Sequence, residues 1–293
     1  MKMTKGIKLI LASLLCGMAC KGYTIPEGEV SLHIVHTNDT HSCVVPVNPN
    51  SSDTALADKG GFVRRAALVR DLRAANAHLL LFDSGDFSQG SAYYNLYKGE
   101  VEIKLMNEMR YDAATIGNHE FDFGLENMAR IFRMADFPIV CANYHVEGTV
   151  LEGLVKPYTT IERDGIKIGV FGLGTQLEGM VAAENYAGVK YEDPITAARR
   201  TAAILKDREH CDLVVCLSHL GWNIDGTDDS ELIPATQGID IVLGGHSHTY
   251  FEQPEVMKNA EGQNVYCTQM GKHGRYVGEL LLQMVPRQGT HSK

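Results

Sequence analysis

Leu32-His-Ile-Val-His36-Thr-Asn-Asp39-Thr-His41 begins as an apolar run and ends on a carboxylate and an imidazole two residues apart. An extended backbone sends alternate side chains to the same side, so Asp39 and His41 share a direction where the strand ends. The pattern recurs down the chain. Leu79-Leu-Leu-Phe82 runs into Asp83-Ser-Gly-Asp86, and Ala113-Ala-Thr-Ile116 into Gly117-Asn118-His119-Glu120-Phe121-Asp122. Leu213-Val-Val-Cys-Leu217 runs into Ser218-His219, and Ile239-Asp-Ile-Val-Leu243 into Gly244-Gly245-His246-Ser247-His248. Open α/β sheets gather their ligands at the carboxyl ends of strands. Five segments far apart in sequence therefore point at one place.

Helical patterns fill the intervals. Residues 62–75 carry apolar positions at three- and four-residue steps, and residues 101–109, 125–134 and 194–206 behave similarly. Pro194 suits a first helical turn, with Asp193 as its N-cap. Pro138-Ile-Val-Cys141 and Ile166-Lys-Ile-Gly-Val170 add strands, while Val265-Tyr-Cys267 and residues 277–282 read as late strands with no helix between them. Segments 47–60 and 221–230 are polar and read as loops. Alternating strands and helices predict a layered α/β domain, and the late strands argue against a purely doubly wound one. One domain is expected over residues 30–285, with 286–293 as a tail.

Composition sets the setting. Apolar residues make up 44% and charged residues 22% of 293, an ordinary globular balance in a chain long enough to bury a full core. Residues 1–19 read instead as a signal peptide. Lys2, Lys5 and Lys8 precede an almost wholly apolar, uncharged run from Leu9 to Ala19, too short to span a bilayer. Gly17 and Ala19 lie just before Cys20, which resembles a lipobox with glycine where leucine is usual. The mature chain is thus expected to be exported, either free in the periplasm or lipid-anchored at Cys20 on the cell envelope. Losing residues 1–19 removes three lysines and no acid, which moves the formal charge from -9 to -12. So acidic a surface disfavours nucleic-acid polymers, whose binding rests on Lys and Arg contacts to phosphate. Cys43, Cys141, Cys211, Cys216 and Cys267 form no CxxC pair and no disulfide framework. Cys141, Cys216 and Cys267 sit in strand-like runs and are expected as buried thiols.

Imidazole with carboxylate suits zinc, manganese or iron better than calcium. Two divalent ions, offset by Asp39, Asp86 and one hydroxide, leave a net charge of about +1, which attracts a phosphate dianion. Ions roughly 3.5–4 Å apart grip both an ester and its attacking oxygen, and they lower the pKa of bound water towards ~7. Asp86 is the natural bridge, because one carboxylate has two oxygens to share.

The series Asp39-x-His41, Gly85-Asp86, Gly117-Asn118-His119-Glu120, Ser218-His219 and Gly245-His246-x-His248 resembles the calcineurin-like metallophosphoesterase superfamily. His36-Thr-Asn-Asp-Thr-His41, Gly85-Asp-Phe-Ser-Gln-Gly90 and Gly117-Asn-His-Glu-Phe-Asp122 resemble its 5'-nucleotidase branch, which includes UDP-sugar hydrolases and 2',3'-cyclic-nucleotide phosphodiesterases. The resemblance implies a four-layer α/β/β/α sandwich of the metallophosphatase type. It implies that Asp39, His41, Asp86 and His248 hold one divalent metal ion, and that Asp86, Asn118, His219 and His246 hold a second. His119 and Asp122 would be the catalytic pair. His119 would stabilise developing charge or protonate the leaving oxygen, Asp122 would orient its ring, and Asn118 and His119 would contact the substrate. Asp122 could instead cap a helix near Leu125. Asp83 is expected to bond local backbone, and Trp222 and the pair Tyr93-Tyr94 to pack within loops, with stacking on a base as the alternative.

The implied activity is release of phosphate from nucleoside 5'-monophosphates, with 2',3'-cyclic nucleotides or UDP-sugars as the alternative. Many members of the branch continue into a second domain that stacks the nucleobase. The expectation here is that a separate C-terminal nucleotidase-domain protein supplies base recognition, or that the substrate is another small phosphate ester. A nucleotide-binding subunit inactive by itself is the contrasting expectation.

Overall fold

The computed structural model describes residues 29–54 and 57–284, together with the backbone of residues 8–10. Its strands, in chain order, are β1 (Lys8–Ile10), β2 (Val30–Thr37), β3 (Leu80–Asp83), β4 (Ala113–Ala114), β5 (Ile139–Val140), β6 (Tyr144–His145), β7 (Val155–Lys156) and β8 (Tyr158–Arg163). They continue as β9 (Ile166–Gly174), β10 (Lys190–Tyr191), β11 (Leu213–His219), β12 (Ile241–Leu243), β13 (Glu255–Lys258), β14 (Asn264–Thr268) and β15 (Gly278–Met284). The α-helices are α1 (Phe62–Ala75), α2 (Ala92–Tyr97), α3 (Glu100–Met109), α4 (Gly124–Phe132), α5 (Pro194–Ala203) and α6 (Asp229–Ala235).

One sheet has the order β1-β15-β2-β3-β4-β5-β7 and the other β13-β14-β12-β11-β9-β8, with β6 and β10 forming a separate ribbon. From β2 to β7 the first sheet is parallel. The second is parallel through β9, β11, β12 and β14 and carries antiparallel edges in β8 and β13. The late strand β15 returns to the first sheet, antiparallel to β2.

Two-residue alternation distributes the apolar side chains among three cores. In β2 and β3, Leu32, Ile34, Leu80 and Phe82 face the second sheet, where they meet Ile168, Val170, Val215, Leu217 and Ile241. The opposite faces of the same strands send Val35 and Leu81 against Val69 of α1, Ile103 and Met106 of α3, and Met128 of α4. In the second sheet, Val214, Cys216 and Val242 pack outward against Ala197 and Ala198 of α5 and Leu232 and Ile233 of α6. Each fully buried Leu, Ile or Phe contributes about 1.5–3 kcal/mol relative to exposure. Helices, sheet, sheet and helices therefore stack as a four-layer α/β/β/α sandwich, as expected.

Local signals account for most element ends. Helix α1 occupies the expected residues, and Asp193 caps α5 by accepting a hydrogen bond from Thr196 N at 2.8 Å. Beyond Ala203 the helix widens into a π-turn over Ile204–Arg208 instead of continuing regularly. The loop expected over 221–230 ends early, because Asp228 accepts bonds from Ser230 N and Glu231 N and starts α6 at Asp229. Asp122 does not cap α4; Phe123 stands at that position with no side-chain cap.

Cys43, Cys141, Cys211, Cys216 and Cys267 are free and buried. β1 pairs antiparallel with β15 at the sheet edge, so loss of residues 1–19 as a leader would take this strand with it. Cys20 and the expected tail over 286–293 lie outside the described residues. No helix among the described residues is long and apolar enough to cross a membrane.

Candidate metal centre

The sequence-derived site residues follow parallel strands drawn from both sheets. Asp39 and His41 follow β2, Asp86 follows β3, and Asn118 and His119 follow β4. His219 ends β11, and His246 and His248 follow β12. Hydrogen bonds across and within the sheets bring these ends together. Ser84 Oγ donates to the Leu243 carbonyl at 2.7 Å, Asp39 N donates to the Gly85 carbonyl at 2.9 Å, and His41 N donates to the Asp86 carbonyl at 3.0 Å.

The backbone there is unusual. Asp39, His41, Asp86, His246 and His248 all have positive φ, at 48°, 42°, 53°, 73° and 56°. An L-residue in this left-handed region costs about 1–2 kcal/mol, so five such residues at one spot mark a place where geometry outweighs backbone ease. Gly245 is needed for a different reason. A Cβ there would lie 2.9 Å from both His219 Nδ1 and the Ser84 carbonyl oxygen.

Three side-chain groups overlap: Asp39 with His41 and His248, His41 with Asp86 and His119, and Asp86 with His219 and His246. His41 Nε2 and His248 Nε2 stand 2.9 Å apart, and Asp39 Oδ1 lies 3.8 and 3.5 Å from them. His219 Nε2 lies 3.1 Å from Asp86 Oδ2 and 4.0 Å from Asp39 Oδ1. Donors that bind one cation at about 2.0–2.2 Å necessarily stand roughly 3 Å apart, so the spacing suits ligation.

Electrostatics agree. Burial lowers the pKa of His41 to about 3 and those of His246 and His248 to about 4. These rings are neutral at pH 7 and keep a lone pair for a metal. Burial raises the Asp39 carboxyl well above its usual range. Asp86 goes the other way: burial alone would raise it, yet the neighbouring His219 holds it below the usual carboxylate range. A cation relieves the cost of keeping both carboxylates ionised. Asn118 Oδ1 is buried without a hydrogen-bond partner, as is His219 Nε2, and both are metal-donor atoms. The donor set is nitrogen and oxygen with no thiolate, and it fits divalent zinc, manganese or iron.

His119 and Asp122 border this cluster. Their contact, Nδ1 to Oδ2 at 3.1 Å, leaves both side chains about one-third exposed. Burial lowers the His119 pKa, but the hydrogen bond to Asp122 and the charge of Asp86 outweigh it, and the net shift is upward. Tyr94 OH donates to the His119 carbonyl at 3.1 Å, and Asn185 Nδ2 to the Asp122 carbonyl at 2.9 Å, so both backbones are pinned.

Several neighbours were not assigned from sequence. Glu120 is buried and accepts from Gly117 N at 2.7 Å and from Asp86 N and Ser88 N at 3.0 Å. Asn38 donates to Asp39 Oδ2 at 2.6 Å and to the Gly271 carbonyl at 2.8 Å. His273 brings its ring centroid to 5.8 Å from that of His41. Glu120 and Asn38 sit inside the ligand-bearing runs, which is the one signal that could have found them. Asp83 does bond local backbone, accepting from Gly85 N at 3.0 Å, and it also accepts from Thr37 Oγ1 on the neighbouring strand at 2.6 Å. Trp222 packs edge-on against Phe251, with ring centroids 5.1 Å apart.

Comparison with known proteins agrees with this geometry. Residues 32–250 match the sequence profile of the calcineurin-like phosphoesterase family. The chain is 31% identical to the snake venom 5'-nucleotidase of Crotalus adamanteus over 279 residues, which cover 89% of this chain and 46% of that protein. Among solved structures it resembles the 5'-nucleotidase precursor from Thermus thermophilus with a TM-score of 0.76 and 33% identity, covering 87% of this chain and 51% of that one. It also resembles the NAD nucleotidase of Haemophilus influenzae, with a TM-score of 0.77 and 27% identity over 89% of this chain and 48% of that one. The chain thus spans about half the length of the relatives it matches. Sequence match, shared fold and clustered donors converge, and the chain belongs to the calcineurin-like phosphoesterase family, whose members use divalent metals to hydrolyse phosphoesters.

Proposed function

We propose that this chain releases phosphate from nucleoside 5'-monophosphates at a pair of divalent ions. One observation carries the reading: Asp86 belongs to two neighbouring donor groups, one with His41 and His119 and one with His219 and His246. Asp39, His41, Asp86 and His248 would hold one ion, and Asp86, Asn118, His219 and His246 the other. Such a pair supplies Lewis-acid charge and acidifies bound water towards ~7.

The remaining work falls to the chain's own side chains. With Nδ1 engaged by Asp122, His119 presents Nε2 to the ester, where it stabilises charge on the leaving oxygen or protonates it. Asp122 holds the ring in that orientation. Asn118 and His119 contact the phosphate from adjacent positions on one loop.

The names of the relatives support a nucleotide as substrate. Likeness to an NAD nucleotidase favours a wider second reading, in which UDP-sugars or 2',3'-cyclic nucleotides are cleaved at the same ions. The basic and apolar leader supports export, free in the periplasm or lipid-anchored at Cys20, and the mass of the mature chain distinguishes the two. The substrate test is phosphate release from AMP by purified protein with added manganese or zinc, beside UDP-glucose and 2',3'-cyclic AMP, with and without a separate nucleotidase-domain protein. Hydrolysis that survives complete metal removal would sink the reading.

A further inference from the structure

Gln269 follows β14 and is fully buried. Its side chain reaches the loop after β12 at three points. Nε2 donates to the Gly245 carbonyl at 2.9 Å. Oε1 accepts from Thr249 N at 2.6 Å and from Ser247 Oγ at 3.1 Å. These partners lie before, between and after His246 and His248. Both histidines hold left-handed backbone, at φ 73° and 56°, which the loop would not favour without support. Gln269 is itself anchored from behind. Its carbonyl accepts from Phe251 N at 3.0 Å, and the next residue, Met270, donates its N–H to Asn38 Oδ1 at 2.8 Å.

An amide is the one side-chain type here that offers a donor and an acceptor at the same reach. Glutamate in its place keeps the acceptor towards Thr249 and Ser247 and loses the donor towards Gly245. Leucine keeps the shape and loses both. We propose that Gln269 is a positioning residue for the whole metal centre: one buried amide sets where His246 and His248 stand, and those two rings serve different ions. The proposal rests on the metal assignment above and adds to it that uptake of the two ions is linked through residue 269.

The test needs no substrate. Manganese is titrated into metal-free wild-type protein, Gln269→Leu and Gln269→Glu by calorimetry, and melting temperatures are read with and without the ion. Gln269→Leu is expected to weaken both binding steps by about 10- to 100-fold, the usual effect of removing a residue that orients metal ligands. Gln269→Glu should fall between it and wild type. The rise in melting temperature on adding manganese should shrink in both variants. Wild-type affinity at either step in a folded variant would overturn the proposal. So would equal lowering of the melting temperature with and without metal, which is what mere support of the fold produces. Should Gln269→Leu fail to fold, Gln269→Glu decides by the same criteria. A wild-type protein that takes up no manganese would instead overturn the metal assignment itself, a distinct failure.

Discussion

His219 donates its Nδ1–H to the Ser84 carbonyl across 2.7 Å, joining the carboxyl end of β11 in one sheet to that of β3 in the other. A carbonyl can only accept, so Nδ1 carries a proton and Nε2 is the atom left facing Asp86 Oδ2, 3.1 Å away. Burial would lower the ring's pKa, but Asp86 outweighs it and raises it to about 10, so in metal-free protein Nε2 is protonated as well. A divalent cation bound there would take that proton's place between the imidazole and the carboxylate. His219→Ala should therefore lose about one ion per chain and most of the turnover. Elemental analysis of the purified variant checks this, and full metal content would contradict it.

His119 differs from the proposed ligand histidines in that its Nδ1 is held by a carboxylate, that of Asp122. His119→Asn should lower kcat by about 10²–10⁴-fold, the range for loss of a general acid, with metal content unchanged. Asp122→Asn should cost less, since the ring remains and only its orientation loosens. Equal metal loss in His119→Asn would make the residue a ligand and not a catalyst.

Glu120 joins the loop that carries Asp86 to the loop that carries Asn118. Its carboxylate accepts the buried N–H groups of Asp86, Ser88 and Gly117. Glu120→Ala strands three donors at about 1 kcal/mol or more each, so the metal-free protein should lose about 3 kcal/mol. Urea unfolding of the metal-free variant measures it, and a loss below about 1 kcal/mol would mean that water replaces the carboxylate.

Asp229 gives a pH signature beside the centre, where it bonds Ser218, the residue before His219. It is fully buried, accepts from Ser218 Oγ at 2.5 Å, and leaves Oδ2 without a partner. Burial raises its pKa from 3.8 to about 7, partly offset by the Ser218 bond. Between those values the folded protein keeps a proton that the unfolded chain has released, so folding weakens as pH rises through that window. Asp229→Asn removes the effect. The stability difference between wild type and variant should shift in the variant's favour from pH 4 to pH 7. A difference that stays flat over that range, in urea unfolding of metal-free protein, would contradict the prediction.

Much of the candidate centre could be read from residue types, because a divalent ion would require such donors. Asp39, His41, Asp86, His219, His246 and His248 stand out against apolar strands, and chain order alone suggests that they converge. The supports did not stand out. A glutamine such as Gln269 has the composition of a surface residue, and only tertiary contacts show that it is buried. The same limit applies to secondary structure. Helix α1 has repeated three- and four-residue spacing and was legible to its ends. Helix α6 is short and contains Pro234, which argues locally against a helix. Edge strands β8 and β13 are half-buried or exposed and carry no apolar run.

The central claim is that Asp86 lies between two cations. Anomalous scattering from a crystal grown with manganese tests it most directly. The expected map has two peaks roughly 3.5–4 Å apart with an Asp86 oxygen within bonding distance of each. A single peak, or two peaks of which one is out of reach of Asp86, would contradict the account.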